Sequence, residues 1–268
     1  MKLYLDPGHG GNDPGAQGNG LQEKNINLDI ALKINNLLTS NYENVDVKMS
    51  RTSDITKSLS QRTNEANTWG ADYYVSIHCN AFNGSAQGYE DYIHSSLSDS
   101  SQTARYQDIL HEEITAVNQL RDRGKKKANF HVLRESNMPA FLSENGFIDN
   151  AHDASFMRDN SWRQQVAQGH VNGIARAFNL PQKNNNDPEP DVFYVILAGS
   201  FQSRDNAESR VENLQDNHIA AFVSTTTISG ERWYRVQAGA FANPNNAERH
   251  LDTVQQIVPD AYIQQEQR

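Results

Sequence analysis

Cysteine, basic residues and long apolar runs are all scarce in this chain. Its one cysteine, Cys79, cannot form an intramolecular disulfide, and we expect it to be a small buried residue. No apolar run approaches the ~20 residues of a membrane span, and the opening MKLYLDPGHGG is too short an apolar stretch for a signal peptide. Lys and Arg number 24 against 33 Asp and Glu, a net charge of −9. The sequence therefore predicts no membrane span and no nucleic-acid partner, because a phosphate backbone attracts a basic surface.

The length and one break in composition predict two domains. The chain has 268 residues, more than the ~100 to 200 of one domain. Residues 181–191, PQKNNNDPEPD, contain three prolines and three consecutive asparagines, a composition typical of a linker. We therefore expect one domain over residues 1–180 and a second over residues 192–268.

Strand-like and helix-like segments alternate in the first domain. The predicted strands are Leu3 to Leu5, Val45 to Met49, Tyr73 to Ile77 and Ala140 to Ser143. The predicted helices are Ile26 to Leu38, Leu59 to Trp69, Thr103 to Val117 and Trp162 to Phe178. Alternating β and α units predict an α/β fold, with a mainly parallel sheet flanked by helices on both faces.

The second domain contains an internal repeat. AGSFQSRDNAESR at 198–210 resembles AGAFANPNNAERH at 238–250, 40 residues later. Each copy has a strand before it, a helical run within and after it, and a further strand at its end. Two βαβ repeats of this size predict a small α+β ferredoxin-like domain with helices on one face of its sheet.

Four residues capable of metal binding or proton transfer stand near the ends of predicted strands. His9 follows the first strand, His78 ends YYVSIH, Glu144 follows PAFLS, and Glu23 follows the glycine-rich loop after His9. Parallel strands present their carboxyl ends at one edge of a sheet, where open α/β folds bind ligands. Two imidazoles and a carboxylate are a common donor set for catalytic zinc. The sequence therefore predicts a zinc site formed by His9, Glu23 and His78.

Each of these features also has a structural interpretation when taken alone. Glu23 stands near a helix N-terminus, where an acid is favoured, and Glu144 alone could be a buried paired carboxylate. The glycine-rich loop could cradle phosphate, but it lacks the lysine of a P-loop and the GxGxxG spacing. A lone histidine is usually satisfied by local hydrogen bonds, and we assign seven others to that class: His94, His111, His131, His152, His170, His218 and His250.

Several separated motifs together carry a family resemblance. They are DPGHGG with Glu23 after it, SRTSD at 50–54, LSQRTNEAN, SIHCNA and SENGFIDN. In order and approximate spacing they resemble the zinc-dependent N-acetylmuramoyl-L-alanine amidases of the type 3 amidase family, over residues 1 to about 180. The resemblance implies that His9, Glu23 and His78 bind Zn²⁺ and that Glu144 is the catalytic residue. The implied substrate is peptidoglycan, cut between N-acetylmuramic acid and L-alanine.

Other polar residues near these motifs have less defined roles. Asn80 is predicted either to bind substrate or orient a ligand, or to cap the turn after its strand. Arg51 and Arg62 are predicted either to bind substrate carboxylates or to form structural ion pairs. Asp6, Asp13 and Gln22 are alternatives for a group that orients a ligand. The basic run from Arg121 to Lys127 is interpreted as a solvated loop, with attraction of an acidic peptide as the alternative.

The second domain resembles the sporulation-related repeat (SPOR) domain, through Gly-Ser-Phe at 199–201 and Gly-Ala-Phe at 239–241. The resemblance implies binding to peptidoglycan glycan strands. Arg235 and Gln237 share one face of their strand and are predicted to contact glycan. Phe201 and Phe241 are further glycan candidates, with core packing as their alternative.

The two resemblances together imply a bacterial cell-wall hydrolase. Because no signal peptide is visible, we expect an enzyme that accumulates in the cytoplasm until lysis or reaches the wall by another route. The alternative is a wall-binding scaffold whose amidase domain is catalytically silent. Retention of the complete set of four residues favours the enzyme.

Overall fold

The computed structural model describes residues 1–183, 192–217, 219–241 and 244–267. The chain forms two compact units, Met1–Lys183 and Asn184–Arg268. His218 and residues 184–191 of the predicted linker lie outside the described residues. Residues 181–183 return to the end of the first helix, where the Lys183 amide donates to the Asn41 carbonyl over 2.8 Å.

The first unit contains a six-stranded sheet and a two-stranded hairpin. The strands are β1 (Lys2–Pro7), β2 (Gln17–Gly18), β3 (Leu21–Gln22), β4 (Asp46–Met49), β5 (Tyr73–Asn80), β6 (Tyr89–His94), β7 (Asp122–Ala128) and β8 (Ala140–Phe147). The helices are α1 (Glu23–Asn41), α2 (Leu59–Trp69), α3 (Gln102–Val117), α4 (His131–Arg134), α5 (Ala151–Arg158) and α6 (Asn160–Phe178). The large sheet has the order β4-β1-β5-β8-β6-β7.

Most neighbouring strands of this sheet are parallel, which confirms the predicted fold class. Strands β4, β1, β5 and β8 run parallel to one another. Strand β6 runs antiparallel to β8 and parallel to β7. The sequence did not predict β6 and β7, and together they extend the sheet beyond β8.

Helices cover both faces of the sheet, as predicted. The larger core joins α1, α3 and α6 to one face and includes Ile30, Val75, Leu110 and Val171. Cys79 is buried in this core, as the sequence predicted. The smaller core joins α2 and α4 to the other face. His78 on β5 and Glu144 on β8 lie on the same side of the sheet as this smaller core, because they alternate in step with Tyr74 and Leu142.

The basic run from Arg121 to Lys127 is not a solvated loop, and this prediction was wrong. Most of it forms the edge strand β7. Its side chains alternate between the two faces: Lys125 pairs with Asp108 of α3, whereas Lys126 pairs with Glu90 on the other face. Lysines on an edge strand also oppose pairing with another chain.

The second unit is a four-stranded antiparallel sheet with two helices. Its elements are β9 (Val192–Phe201), α7 (Arg204–Asp216), β10 (Phe222–Ile228), β11 (Glu231–Phe241), α8 (Pro244–Gln255) and β12 (Tyr262–Gln267). The strand order β10-β11-β9-β12 places the first strand of each βαβ repeat at the centre. Both helices contribute to one core, which confirms the predicted ferredoxin-like arrangement.

The internal repeat produces the same contact twice. Arg210 on α7 donates to the Ala198 carbonyl over 3.0 Å and lies over the Phe201 ring. At the position 40 residues later, His250 on α8 lies 2.8 Å from the Ala238 carbonyl and packs on Phe241. Each helix is therefore fastened to its strand by an equivalent side chain.

Candidate metal centre

Three predicted ligands meet at the carboxyl edge of the large sheet. His9 follows β1, His78 lies near the end of β5, and Glu23 is the first residue of α1. One ligand atom from each lies within 4.8 Å of the other two. Glu23 Oε2 is 3.2 Å from His9 Nε2, and Glu23 Oε1 is 2.8 Å from His78 Nδ1. The structure thus brings together the three side chains that the sequence selected.

The loop around His9 allows this close approach. His9 has a φ of +62°, in the left-handed region that few non-glycine residues adopt. A Cβ at Gly8 would lie 2.2 Å from the His78 ring, and one at Gly15 would lie 2.5 Å from Glu23 Oε2. These two glycines therefore leave the space that the ligand side chains occupy.

The Glu23 carboxylate is fixed by donors from three separate segments. It accepts hydrogen bonds from the Ala16 amide (2.7 Å), the Cys79 amide (3.0 Å) and Asn27 Nδ2 (3.1 Å). Burial opposes its charged form, but hydrogen bonds with His78 and His9 outweigh that effect and lower the pKa of Glu23. The carboxylate is therefore ionised and oriented for metal binding.

Asn27 is a site residue that the sequence analysis missed. It is fully buried on α1, one turn after Glu23. Positions four apart share a helix face, so this spacing was the available signal. Asn145 was also missed: it follows Glu144, and its amide donates to the His78 carbonyl over 3.1 Å.

Of the three acids and amides proposed to orient a ligand, Asp13 makes the contact. Its Oδ2 lies 2.8 Å from His9 Nδ1, which leaves Nε2 directed at Glu23. A carboxylate on the far nitrogen of a metal-binding histidine fixes its tautomer. Asp6 instead forms a buried ion pair with Arg62, and Gln22 pairs with Gln17 in the hairpin.

The donor chemistry of this cluster fits a metal ion. Two imidazole nitrogens and one carboxylate oxygen converge, with the glycine cradle around them and Asp13 behind His9. Such a set leaves a coordination position for water or substrate. His9, Glu23 and His78 could therefore hold one catalytic metal ion.

Glu144 stands beside this cluster. Its position on β8 is paired with that of His78 on β5. Its Oε2 is buried and has no hydrogen-bond partner among the described residues. Burial, and then the negative charges of Glu23 and Glu90, raise the pKa of Glu144 well above its usual range. A bound cation would oppose this shift because positive charge favours a carboxylate.

Asn80 fills the turn-capping role that the sequence left open, and its contact with substrate stays a prediction. Its Oδ1 accepts from the Ala81 amide over 2.8 Å and so caps the turn after β5. Its Nδ2 donates to Glu90 over 3.0 Å, on the same sheet face as Glu144. Glu90 could not be selected from the sequence, because β6 was not predicted.

Arg51 and Arg62 occupy structural positions. Both are 2% exposed. Arg51 donates to the carbonyls of Pro7, Gly8 and Lys24, and Arg62 donates to Asp6 and to the His9 carbonyl. This geometry favours the structural alternative over substrate contact, because the two guanidinium groups brace the loop that carries His9.

Among the described residues of the second unit, both helices pack on one face of the sheet and none packs on the other. Phe222 on β10, Gln237 on β11, Leu197 on β9 and Tyr262 on β12 are paired across this face in one row. Phe222 and Tyr262 are 55% and 48% exposed. Arg235 lies on the same face, two residues from Gln237.

Phe201 and Phe241 lie on the opposite, helix-covered face. Both pack against the core of this unit, under Arg210 and His250 respectively. This placement favours the core-packing alternative for both rings over glycan contact. Regular alternation would put Phe201 on the face of Leu197 and Phe241 on the face of Gln237, because each pair is four residues apart. The positive φ of Gly199 and Gly239 and the register shifts between β11 and β9 break that alternation.

Comparison with known proteins decides the family. The family model described as N-acetylmuramoyl-L-alanine amidase matches residues 3–176, and a SPOR domain model matches residues 190–265. The chain belongs to the N-acetylmuramoyl-L-alanine amidase family. The first unit is thus an amidase domain, and the matched region contains His9, Glu23, His78 and Glu144.

Relatives of this amidase support the assignment along most of its length. The N-acetylmuramoyl-L-alanine amidase CwlM of Bacillus licheniformis is 50% identical over 83% of this chain and 84% of its own. The sporulation-specific N-acetylmuramoyl-L-alanine amidase of Bacillus subtilis is 47% identical over 80% of this chain and 81% of its own.

Solved structures match the amidase domain. The catalytic domain of the amidase CwlV from Bacillus (Paenibacillus) polymyxa var. colistinus has a TM-score of 0.63 at 33% identity, over 67% of this chain and 99% of its own. An N-acetylmuramoyl-L-alanine amidase from Clostridium difficile has a TM-score of 0.64 at 36% identity, over 66% and 96%. Within the described residues, no helix has the length and apolar character needed to cross a membrane.

Proposed function

We propose that this amidase hydrolyses the amide bond between N-acetylmuramic acid and L-alanine of peptidoglycan, with Zn²⁺ held by His9, Glu23 and His78. The observation that carries the proposal is the convergence of three ligand atoms within 4.8 Å, beside Glu144. When bound, the zinc supplies a Lewis acid for the scissile carbonyl and lowers the pKa of water to about 7. Family membership supports the same reaction.

Glu144 carries the proton in this proposal. Its carboxylate takes a proton from the attacking water and gives it to the alanine nitrogen as the C–N bond breaks. A new C–O bond forms, so the products are a muramyl carboxylate and a free alanine amine. The partly buried setting of Glu144, which favours its protonated form, suits transfer in both directions.

Asn80 is the substrate-binding candidate that the geometry supports best. Its amide has two hydrogens, and only one has an acceptor, Glu90, among the described residues. The second hydrogen is available to a substrate carbonyl next to His78. Arg51 and Arg62 have no such role in this proposal, because both are buried and bonded within the protein.

The second unit binds glycan on its open sheet face in this proposal. The row from Phe222 to Tyr262 combines exposed aromatic rings with the amide of Gln237. The Arg235 side chain is 20% exposed, with its Nη1 3.6 Å from Glu266 Oε1, and its guanidinium has further donors for a sugar oxygen. Specific contacts of this kind are needed, because a protein with a net charge of −9 gains little from charge attraction to an anionic wall.

The reaction is tested by incubating the purified protein with peptidoglycan, with chelator, and with chelator followed by zinc. We expect new L-alanine amino termini that disappear with chelator and return with zinc. New reducing sugar ends without amino termini would indicate a glycosidase instead. Binding to the wall with neither product, in the presence of zinc, would favour the silent scaffold.

Deleting residues 191–268 tests the targeting role separately. We expect the truncated protein to bind insoluble wall more weakly while it cleaves small soluble muropeptides at the same rate. Equal retention of both forms on the wall would refute the targeting role.

A further inference from the structure

A buried carboxylate, Glu90, organises the catalytic face beyond Glu144. Glu90 is 2% exposed, and its position on β6 is paired with that of Glu144 on β8. It accepts hydrogen bonds from Asn80 Nδ2 (3.0 Å), Tyr92 Oη (2.6 Å) and Arg123 Nε (2.7 Å), and it also pairs with Lys126. Two cations thus share one carboxylate, so the group formed by Glu90, Arg123 and Lys126 carries a net positive charge.

Arg123 is held in one orientation by three contacts. Its Nε donates to Glu90, its Nη1 donates to the Gln87 carbonyl over 3.3 Å, and its guanidinium lies 4.9 Å from the centre of the Phe147 ring. Phe147 is on β8, three residues after Glu144. Arg123 Nη2 has no acceptor among the described residues, and the side chain is 30% exposed. The group is fixed, yet it presents a free donor next to the catalytic strand.

The other basic residues of this strand are engaged elsewhere. Lys125 pairs with Asp108 on the α3 face, and Lys127 pairs with Asp99. Lys126 lies on the catalytic face with Arg123 and is 35% exposed. An ammonium has three hydrogens, so Lys126 keeps donors after binding Glu90. Arg123 and Lys126 are therefore the two cations of this strand that face the site.

We propose that Arg123, with Lys126 beside it, binds a carboxylate of the stem peptide and makes the enzyme selective for acidic peptides. The proposal rests on the amidase function above. The ligand cluster lies on the β1 and β5 side of Glu144. The leaving peptide receives its proton from Glu144, so it extends to the other side, across β6 and β7. Strands lie ~4.8 Å apart, which puts β7 ~10 Å from β8. Two or three extended residues span ~7–10 Å, so a carboxylate early in the peptide reaches Arg123.

The chemistry favours a carboxylate as the recognised group. A guanidinium binds a carboxylate through charge-assisted hydrogen bonds, which are stronger than bonds to a neutral amide. Glu90 stays ionised as the anchor, since bonds from Lys126, Tyr92 and Arg123 outweigh its burial and lower its pKa. Its single charge does not cancel both cations.

Two soluble muramyl peptides test the inference. They differ only in the carboxylate of the second peptide residue, which is free in one and amidated in the other. For the wild-type enzyme loaded with zinc, we expect kcat/KM to be about 10- to 100-fold higher with the free acid. Arg123→Gln should abolish this preference, mainly through a higher KM for the acid. Lys125→Gln removes one charge from the opposite face of the same strand and should keep the preference.

The possible outcomes separate the two proposals. Equal kcat/KM of the wild-type enzyme for both peptides would overturn carboxylate recognition and leave the amidase function intact. Cleavage of neither peptide by the zinc-loaded enzyme would instead refute the amidase function. If Arg123→Gln lowers kcat equally for both peptides, Arg123 has a structural role and the inference is refuted. Arg123→Lys keeps the positive charge but loses the paired donors of the guanidinium group, so it should retain a smaller preference for the free acid. This variant tests carboxylate recognition if Arg123→Gln does not fold.

Discussion

His78 and Glu144 occupy paired positions on the adjacent parallel strands β5 and β8. Paired residues on neighbouring strands point to the same face, so the ligand and the proposed proton carrier stand side by side. A shift of one residue in this pairing would send Glu144 to the other face of the sheet. The register of two core strands thus sets the geometry of the chemistry.

Replacing Glu144 by Gln should separate metal binding from turnover. We expect Glu144→Gln to keep bound zinc and to lower kcat by roughly 10²- to 10⁴-fold, because it removes the proton carrier but no ligand. His78→Ala should lose both zinc and activity. Zinc content by atomic emission and release of alanine amino termini measure the two effects. A Glu144→Gln enzyme of normal rate would reject the proton-transfer role.

Two glycine substitutions test the cradle around the ligands. Gly15 and Gly20 both have positive φ, of +66° and +76°, but only a Cβ at Gly15 would meet Glu23 and His9. We expect Gly15→Ala and Gly20→Ala each to cost about 1–2 kcal/mol of stability from backbone strain. Only Gly15→Ala should also weaken metal affinity, by about 10- to 100-fold. Competition titration with a chelating dye measures this affinity, and equal affinities in the two variants would show that the cradle does not shape the site.

His170 should make the enzyme less stable as the pH falls below neutrality. It is fully buried between the Val166 carbonyl and Ser143 Oγ, and burial lowers its pKa to about 4. An unfolded histidine has a pKa of ~6.5, so the unfolded chain binds a proton at a higher pH than the folded protein does. Between about pH 6.5 and pH 4 this proton stabilises the unfolded chain relative to the folded protein. The free energy of unfolding should fall by about 2 kcal/mol from pH 7 to pH 5 through this residue alone.

Urea unfolding at pH 7 and pH 5 measures that loss. His170→Gln, which has no proton to gain in this range, should show a smaller decrease than the wild-type protein. The other titrating groups are present in both proteins and cancel in the comparison. The same decrease in both would show that His170 does not titrate as its burial indicates.

Aromatic residues on the two faces of the second sheet should behave differently. The double variant Phe222→Ala, Tyr262→Ala should reduce retention of the full chain on purified wall by about tenfold, with little change in stability. Phe201→Ala on the covered face should instead destabilise this unit by about 2 kcal/mol, because it leaves a cavity. Wall pull-down and thermal unfolding distinguish the two effects. Unchanged retention of the double variant would exclude the open face as the glycan site.

The sequence predicted the motif-bearing parts of the fold well and the rest poorly. Strands β1, β5 and β8 are apolar, alternate with periodic helices and end in the site residues. Strands β6 and β7 escaped notice because YEDYIH and DRGKKKA are polar. Their polar residues are stabilised by partners distant in sequence, such as Glu90 with Arg123 and Lys125 with Asp108. No local pattern reveals such pairs.

The sequence by itself determined the donor set, the family resemblance, the two-domain organisation and the internal repeat. These features depend on residue type and on spacing along the chain. Only the tertiary structure decided which polar side chains face the site: Asp13, Asn27 and Glu90 contact site residues, whereas Arg51 and Arg62 are enclosed. It also decided that Phe201 and Phe241 pack under helices while Phe222 and Tyr262 remain exposed. The physical reason is that strand register and helix coverage, set by contacts between distant segments, assign each side chain to a face.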